Sequence, residues 1–241
     1  MTQTVIVLGA GASDGVGGAL ARRFAAEGRH VIVGGRTEAK VAAIASEIAA
    51  AGGSAEGIRV DVTAPADQDA VFALAAQRGS LDAVLYNAGS NAIIPFEDLT
   101  EAQFESFWRV GPLGAFHTAK RAMPILARQG SGSMLFTGAS ASLRGKPNFA
   151  HFAASKAGLR MLAQSLAREY GPKGVHVGHV IIDGIVDGDM VRSRFGEYLD
   201  ALGEDGALAP AAIAEAFWML HAQPRTAWTQ ELDLRPFKEN W

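Results

Sequence analysis

The residues with the clearest chemical potential lie in a glycine-rich segment near the start of the chain. Residues 5–8 are all apolar, as is typical of a buried parallel strand, and the segment 9–18 follows them directly. Its glycines at positions 11, 15 and 17 allow a sharp turn and a close approach to a ligand. A helix that begins after the turn directs its free N–H groups at the same place. The segment therefore predicts a pyrophosphate site; the alternative is a tight strand-to-helix connection without a ligand.

Polar segments also follow the other apolar strands. Arg36 comes after the second strand, Asp61 ends the third, Asn87 follows the fourth and Asp183 follows the sixth. Because ligands of parallel sheets bind at the carboxyl ends of the strands, we expect these segments to form one site. The candidate ligand contacts are Gly11, Ser13, Asp14, Gly15, Val16, Gly17, Arg36, Thr37, Asp61, Val62, Asn87, Ala88, Gly89, Asp183, Gly184 and Ile185.

Short apolar strands alternate with helical patterns along most of the chain. The predicted strands lie near residues 5–8, 30–34, 55–60, 83–85, 133–136, 175–182 and 231–234. Repeated strand–helix–strand units require a parallel sheet with helices on both faces. The predicted fold class is therefore α/β, a doubly wound parallel sheet of about seven strands (a Rossmann fold). We interpret residues 1–241 as one domain, with a substrate loop region over about 183–209 that contains one or two short helices.

Three helical regions carry local signals. Thr63 is predicted to cap a helix that has Pro65 in its first turn. The helical region 101–129 contains Gly111 and Pro112, and the proline is expected to bend or break it. A further long helix is predicted over about 150–171.

Composition excludes several classes of function. The 22 Lys and Arg against 25 Asp and Glu give a net charge of -3, which indicates no nucleic-acid partner. The absence of cysteine excludes a disulfide, a thiolate nucleophile or a cysteine metal site, and we expect no metal. No apolar run approaches ~20 residues, so no membrane span is expected. The first strand begins within a few residues of Met1, so we expect no signal peptide and a cytoplasmic protein.

Four motifs together resemble the short-chain dehydrogenase/reductase family, from the first strand to about residue 190. The segment Gly11 to Gly17 matches the family's Gly-x-x-x-Gly-x-Gly turn, and Asp61-Val62 matches its adenine-contacting pair. Asn87-Ala88-Gly89 matches the Asn-Ala-Gly motif, and residues 154–158 match the Ser-Lys-Ala region of the active-site helix. The resemblance implies a nicotinamide cofactor, and a homodimer or homotetramer.

Arg36 stands where members of this family that use NAD usually carry an acidic residue. A guanidinium there can bind a 2′-phosphate through paired hydrogen bonds, and Thr37 can add a hydroxyl. The sequence therefore favours NADP(H) over NAD(H). The alternatives are a surface arginine without a ligand and, for Asp61, a carboxylate that only caps a helix or a turn.

The catalytic motif departs from the family pattern of Ser, Tyr and Lys with an Asn on the preceding helix. Lys156 is present, but Phe152 stands at the usual Tyr position and cannot donate a proton. Ala139 falls at the usual Ser position, Gly111 at the Asn position and Gly188 at that of a Thr after the sixth strand. The cofactor half of the site is thus retained, and the proton relay is not.

Nearby residues offer replacements. Ser140 and Ser142 are predicted to contact the substrate; the alternative is that they only cap the loop. By resemblance, Lys156 binds the nicotinamide ribose, the alternative being a solvated helix lysine. His151 precedes Phe152, but adjacent helical residues point about 100° apart, so a packed histidine is favoured over an acid–base group.

Two functions of different classes follow. The first is an NADP-dependent oxidoreductase that acts on a small organic carbonyl, enone or imine, or on the corresponding alcohol, with a non-standard proton relay. The second is a non-catalytic NADP-binding sensor or partner subunit that retains the fold. The tail, with Phe237 and Trp241, is expected at a subunit contact.

Overall fold

The computed structural model describes residues 2–239 and shows a seven-stranded parallel sheet in the order β3-β2-β1-β4-β5-β6-β7. The strands are β1 (Gln3–Leu8), β2 (His30–Gly35), β3 (Ser54–Arg59), β4 (Ser80–Tyr86), β5 (Ser133–Thr137), β6 (His176–Ile182) and β7 (Glu231–Leu234). The strand order reverses at β1, between β2 and β4. The predicted doubly wound fold is therefore confirmed, and its ligand site is expected at this reversal.

Eight α-helices connect or flank the strands in the described part of the chain. They are α1 (Val16–Ala26), α2 (Glu38–Ala50), α3 (Pro65–Arg78), α4 (Glu101–Trp108), α5 (Gly114–Gln129), α6 (Ala150–Tyr170), α7 (Asp189–Leu202) and α8 (Pro210–His221). Within residues 2–239, none of these helices has the length and apolarity needed to cross a membrane.

The sheet has a separate apolar core on each face. Alternate residues of β1 point to opposite faces, so Val5 belongs to one core and Ile6 to the other. The first core includes Phe24 from α1 and Phe217 from α8, and the second includes Met123 from α5. All five side chains are at most 1% exposed. Burial on both faces makes the strands rigid, so the segments that follow them start from fixed positions.

The predicted break near Pro112 is confirmed as a π-helical turn, Arg109–Leu113, between α4 and α5. Proline lacks an N–H and interrupts the helical hydrogen-bond pattern. Side chains from neighbouring elements satisfy carbonyls at this turn. The Tyr86 hydroxyl donates to the Val110 oxygen at 2.5 Å, and Ser155 Oγ donates to the Phe107 oxygen at 2.9 Å.

The prediction that Thr63 caps a helix is wrong. Ala64 occupies the N-cap of α3 and Pro65 begins the helix. The Thr63 backbone N–H and hydroxyl instead donate to Asp61 Oδ1 at 2.9 and 2.8 Å. Because the local turn around Asp61 offers a charged acceptor, the threonine bonds backwards rather than into the helix.

The region 183–209 contains α7, whose backbone is non-helical at Phe195, so two short helical pieces are present as predicted. A parallel bridge between Val186 and Leu208 closes the base of this region. The strand predicted over 231–234 is also confirmed. Phe237, just beyond it, is 90% exposed, whereas Trp241 lies outside the described residues.

A first prediction concerns the packing of α1 on the turn. A β-carbon at Gly17 would lie 2.7 Å from Ala10 Cα and 2.9 Å from the Gly9 oxygen, whereas one at Gly11 meets nothing within 4 Å. Overpacking of this kind costs about 1–3 kcal/mol, so we expect Gly17→Ala to lower the free energy of unfolding by that amount. Urea denaturation measures it, with Gly11→Ala as the matched control. Equal stabilities of the two variants would contradict the prediction.

Candidate active site

The glycine-rich turn packs directly against the segment that follows β4. Gly9 has φ +93°, and a β-carbon there would lie 2.4 Å from Ala88 N. The Asn87 backbone N–H donates to the Leu8 oxygen at 2.8 Å, and its side-chain Nδ2 donates to the Gly9 oxygen at 3.1 Å. The two predicted ligand segments therefore form one surface, and only glycine at position 9 permits it.

The glycines of the turn are not all required for their backbone conformation. Gly15 is the N-cap of α1 with φ -78° and ψ 174°, a conformation open to any residue. This position therefore needs no glycine for its backbone conformation. No side chain caps the N-terminus of α1 there, and the space beside Gly11 is open. Free helical N–H groups beside open space fit an anionic ligand.

Polar side chains of the turn bind neighbouring helices. Ser13 Oγ hydrogen bonds to the Glu47 carboxylate, and Arg22 donates to the Ser13 carbonyl at 2.7 Å. Asp14 Oδ2 accepts from the Asp189 N–H at 2.6 Å, which joins the turn to α7. Hydrogen bonding to the Asp14 carboxyl raises the pKa of Asp189. The turn is therefore fixed on two sides before any ligand binds.

Arg36 and Thr37 are exposed at the end of β2. Among residues 2–239, Arg36 has no hydrogen-bond or ion-pair partner, so its guanidinium is free for a ligand. The Thr63 N–H lowers the pKa of Asp61, and the charges of Arg36 and Arg59 lower it further. Two arginines thus lie near Asp61, whose carboxylate also serves the local turn.

Lys156 on α6 lies close to the end of β5 and to the segment after β4. Its Nζ donates to the Thr137 oxygen at 2.7 Å and lies 3.5 Å from the β-carbon position of Gly89. The Thr137 hydroxyl in turn donates to Asn87 Oδ1 at 2.9 Å. Burial lowers the pKa of Lys156 to about 8. The alternative of a solvated helix lysine is therefore wrong, because the side chain is buried among the predicted site segments.

Phe152 lies one helical turn before Lys156 and shares a small cleft with it. The Lys156 Nζ is 5.8 Å from the centre of the half-buried Phe152 ring. The cleft is lined by Ala88, Gly89, Ser90, Phe107, Val110, Gly111, Phe152, Ser155 and Lys156. The cleft thus lies between the segment after β4, the end of α4 with the π-helical turn, and α6. One amine and two aromatic rings line it.

Ser155 occupies the space beside Gly111, an arrangement that the sequence did not reveal. A β-carbon at Gly111 would lie 1.9 Å from Ser155 Oγ. The glycine therefore makes room for the serine hydroxyl, which bonds to the Phe107 carbonyl at the π-helical turn. No larger side chain fits at position 111 while Ser155 keeps this position.

The two candidate serines after β5 have different surroundings. Ser142 is 4% exposed; its Oγ accepts from the Ala139 N–H at 3.2 Å and lies 3.4 Å from His179 Nε2. Ser140 is half-buried, and its hydroxyl makes no hydrogen bond within the described residues. The contact of either serine with a substrate stays a prediction, and Ser140 is the one with a free hydroxyl.

His151 is a packed side chain. It is 1% exposed, and its ring centre lies 4.2 Å from that of Phe107. Burial lowers its pKa, although the Ala92 backbone acts in the opposite direction. These surroundings agree with the packed-histidine interpretation.

Asp183, predicted as a cofactor contact, is 2% exposed at the end of β6. Its two carboxylate oxygens accept from Arg144 Nη2 at 3.0 and 2.9 Å, and Arg235 lies 3.2 Å away. Gly184 follows with φ +152°, where a β-carbon would lie 2.6 Å from Pro236 Cδ. A role of residues 183–185 in ligand binding thus stays a prediction. Because the Asp183 carboxylate is already paired, such binding would use the backbone atoms of these residues.

His179 in β6 is a polar residue near the site that sequence reasoning missed. Its side chain is fully buried, and Nδ1 lies 3.0 Å from Glu231 Oε2 of β7. Burial lowers the pKa of His179 to about 4. The available signal was a histidine in an otherwise apolar strand, since such a residue needs a polar partner.

Comparisons with known proteins agree on one family. The family model described as short chain dehydrogenase matches residues 3–198. The 3-oxoacyl-[acyl-carrier-protein] reductase MabA of Mycobacterium bovis is 34% identical over 206 residues, which are 84% of this chain and 75% of that protein.

Two solved structures share the whole architecture. A short-chain dehydrogenase from Rhodopseudomonas palustris is 36% identical, with a TM-score of 0.83 over 98% of this chain and 99% of its own. An alcohol dehydrogenase from the archaeon Thermococcus sibiricus, complexed with 5-hydroxy-NADP, is 25% identical, with a TM-score of 0.85 over 100% and 99% of the two chains.

A second prediction concerns stability in mild acid. Because His179 has a pKa of about 4 in the folded chain and an ordinary value of 6.5, only the unfolded chain takes up its proton between these values. The free energy of unfolding should therefore fall as the pH drops from 6.5 to 4, on the order of 2–3 kcal/mol from this residue. Denaturation of wild type and His179→Phe at several pH values measures it. The variant should lose less stability over this range, and parallel curves would refute the assignment.

Proposed function

Because the chain belongs to the short-chain dehydrogenase/reductase family, we propose that it transfers a hydride between NADP(H) and a small organic carbonyl, enone or imine, or the corresponding alcohol. One observation carries the proposal: Lys156, the Asn87–Gly89 segment and the glycine-rich turn meet at the carboxyl ends of the central strands. This is the crevice in which a doubly wound sheet binds its ligand.

The residues at this crevice fit a dinucleotide. The open space at Gly11 and the uncapped N-terminus of α1 would accommodate a diphosphate. Asp61 and Val62 would contact the adenine, and Lys156 would bind the nicotinamide ribose. The bound cofactor would supply the hydride, so the chain's own task is to bind, to orient and to exclude water.

The cofactor preference is assigned to Arg36. Its guanidinium is exposed and unpaired within residues 2–239, beside Asp61 and Arg59. A free guanidinium at the end of β2 provides paired hydrogen bonds for a 2′-phosphate, and Thr37 adds a hydroxyl. An acidic residue, which would instead bind the ribose hydroxyls, is absent from this place.

The proton relay of this chain is non-standard. Phe152 has no hydroxyl, and Lys156 binds a backbone oxygen with its buried amine. The Ser140 hydroxyl, which has no hydrogen-bond partner in the described part of the chain, would orient a substrate oxygen. The proton would come from water, from this serine or from the substrate. Reduction of an enone or imine places a smaller demand on an acid than reduction of a simple ketone.

We also propose self-association through α4 and α5. Phe104, Trp108 and Phe116 on these helices are 40%, 43% and 44% exposed, although they are large and apolar. Covering such side chains favours a homodimer or homotetramer. Light scattering of the purified chain tests this, and a monomeric mass would exclude it.

A non-catalytic NADP-binding role has one specific observation in its favour, the phenylalanine at position 152. Single-turnover oxidation of NADPH with a panel of enones, imines and ketones separates the two functions. Turnover of any acceptor supports the enzyme. Tight NADPH binding without turnover supports the sensor.

A third prediction tests the cofactor. We expect NADPH to bind at least tenfold more tightly than NADH, a difference of ~1.4 kcal/mol. Arg36→Ala should remove most of this preference by weakening NADPH alone. Calorimetric titration with both cofactors measures it, with Arg128→Ala as the control, because Arg128 is an exposed arginine in the last turn of α5. Equal affinities of the wild type would exclude the role of Arg36.

A fourth prediction tests the missing acid. Phe152→Tyr places a hydroxyl beside Lys156, and a positioned acid contributes typically ~10²–10⁴-fold, so ketone reduction by NADPH should increase. Single-turnover NADPH oxidation with ketones measures it, after NADPH affinity has been checked. Phe116→Tyr, on the exposed face of α5, is the control. The opposite result would be fast ketone reduction by the wild type and its loss in Phe152→Tyr. That result would show that another residue already serves as the acid.

A further inference from the structure

A chain of hydrogen-bonded polar side chains, half-buried at Arg160 and Glu231 and buried at His179 and Ser142, runs from β7 to the turn after β5. Arg160 on α6 donates from Nε and Nη2 to the two oxygens of Glu231, at 2.7 and 2.8 Å. Glu231 Oε2 lies 3.0 Å from His179 Nδ1, and His179 Nε2 lies 3.4 Å from Ser142 Oγ. Ser142 Oγ also accepts the Ala139 N–H at 3.2 Å. The hydrogen bonds thus join β6, β7 and α6 to the turn after β5.

The direction of these hydrogen bonds follows from the charges. The Arg160 guanidinium lowers the pKa of Glu231, which is therefore an acceptor only. Burial lowers the pKa of His179 and outweighs the opposite effect of Glu231, and the charges of Lys156 and Arg160 on α6 act in the same direction as burial. Because Glu231 requires a donor, Nδ1 carries the ring proton and Nε2 is left as an acceptor. The Ser142 hydroxyl must then donate to Nε2.

The imidazole also packs directly against the turn. A β-carbon at Gly138 would lie 2.4 Å from His179 Nε2, so only a glycine allows the ring this position. The Gly138 N–H donates to the Val180 oxygen at 2.7 Å, which closes the strand at this point. Thr137, one residue earlier, holds Lys156 through its carbonyl. The ring therefore touches the backbone that carries both the lysine contact and Ser140.

We propose that His179, oriented by Glu231, is a positioning residue for the reaction. It fixes the Ser142 hydroxyl and, through it, the backbone of residues 138–142, so that Ser140 alone presents a free hydroxyl to the substrate. The proposal rests on the hydride transfer proposed above. In this proposal Ser142 supports the turn, because the Ser142 hydroxyl already donates its proton in a hydrogen bond to the imidazole.

The chain contains a matched control at the opposite end of the strands, where β4 and β5 begin. Ser133 Oγ lies 2.7 Å from His221 Nδ1, and His221 Nε2 lies 3.1 Å from Asp82 Oδ2. This second Ser–His–carboxylate network is also largely shielded from solvent, with side-chain exposures of 7% for His221 and 12% for Asp82, but it joins the starts of β4 and β5 to α8. A change at His221 therefore disturbs the same kind of network without touching the site.

Two substitutions of His179 separate its two hydrogen bonds. The side-chain amide of asparagine lies where Nδ1 of a histidine would lie, so it can keep only the hydrogen bond of Nδ1. The amide of glutamine lies where Nε2 would lie and can keep only the hydrogen bond of Nε2. We expect His179→Asn to lower kcat on the order of tenfold, because the turn loses its support. His179→Gln, which still accepts from Ser142, should retain most of kcat. NADPH affinity should change less than twofold in both, and His221→Asn should leave kcat unchanged.

A double-mutant cycle keeps the test decisive if one variant folds poorly. Ser142→Ala removes only a hydroxyl and should lower kcat as much as His179→Asn does. The double variant should show no further loss, since both changes break the same link. Additive losses, or equal losses in the Asn and Gln variants of His179, would overturn the proposal.

Hydrogen exchange of the Ala139 amide provides a readout without turnover. Exchange should accelerate in His179→Asn and Ser142→Ala, and stay slow in His179→Gln and His221→Asn. If none of the acceptors tested is reduced by the wild type with NADPH, the proposed hydride transfer is contradicted. The exchange pattern then decides by itself whether the imidazole holds the turn. Equal exchange in all variants would reject the positioning role, whether or not the enzyme is active.

Discussion

The whole site depends on one close contact between two backbones, where β1 and β4 end side by side. A glycine at position 9 lets the turn after β1 touch Ala88, and this brings the helix N-terminus of α1 next to the Asn87–Gly89 segment. A larger residue would separate the two surfaces. Because both strands are buried in the middle of the sheet, the contact cannot relax by moving them. The places proposed above for a diphosphate and for a nicotinamide are thereby held at a constant separation.

Most of the fold could be predicted because its signals are local and periodic. Apolar strands that alternate with amphipathic helices define a doubly wound sheet, and strand ends define where ligand-binding residues gather. The strand over 231–234 and the break at Pro112 were both readable from a few residues. Thr63 was misassigned because capping and turn formation use the same side-chain chemistry, and the nearby Asp61 carboxylate decided between them.

The unpredicted parts of the site are contacts between residues far apart in the chain. His179 and Glu231 meet across β6 and β7, and Ser155 fills the space that Gly111 leaves open. Neither pair carries a spacing signal, because the distance along the chain between such partners is arbitrary. The same reason explains why Ser140 and Ser142 looked equivalent in sequence. Only their surroundings distinguish a hydroxyl that supports the backbone from one that is free.

The position of β7 at one edge of the sheet also has a consequence for the order in which the protein acquires its parts during synthesis. β1 to β6 can pair as they emerge, each beside a strand already made, and they carry the glycine-rich turn, the Asn87–Gly89 segment and Lys156. Glu231 emerges later, with the strand that docks beside β6. A nascent chain can therefore assemble the crevice proposed for the dinucleotide while His179 still lacks its carboxylate. The proposed cofactor site is thus in place before the turn after β5 is fully ordered.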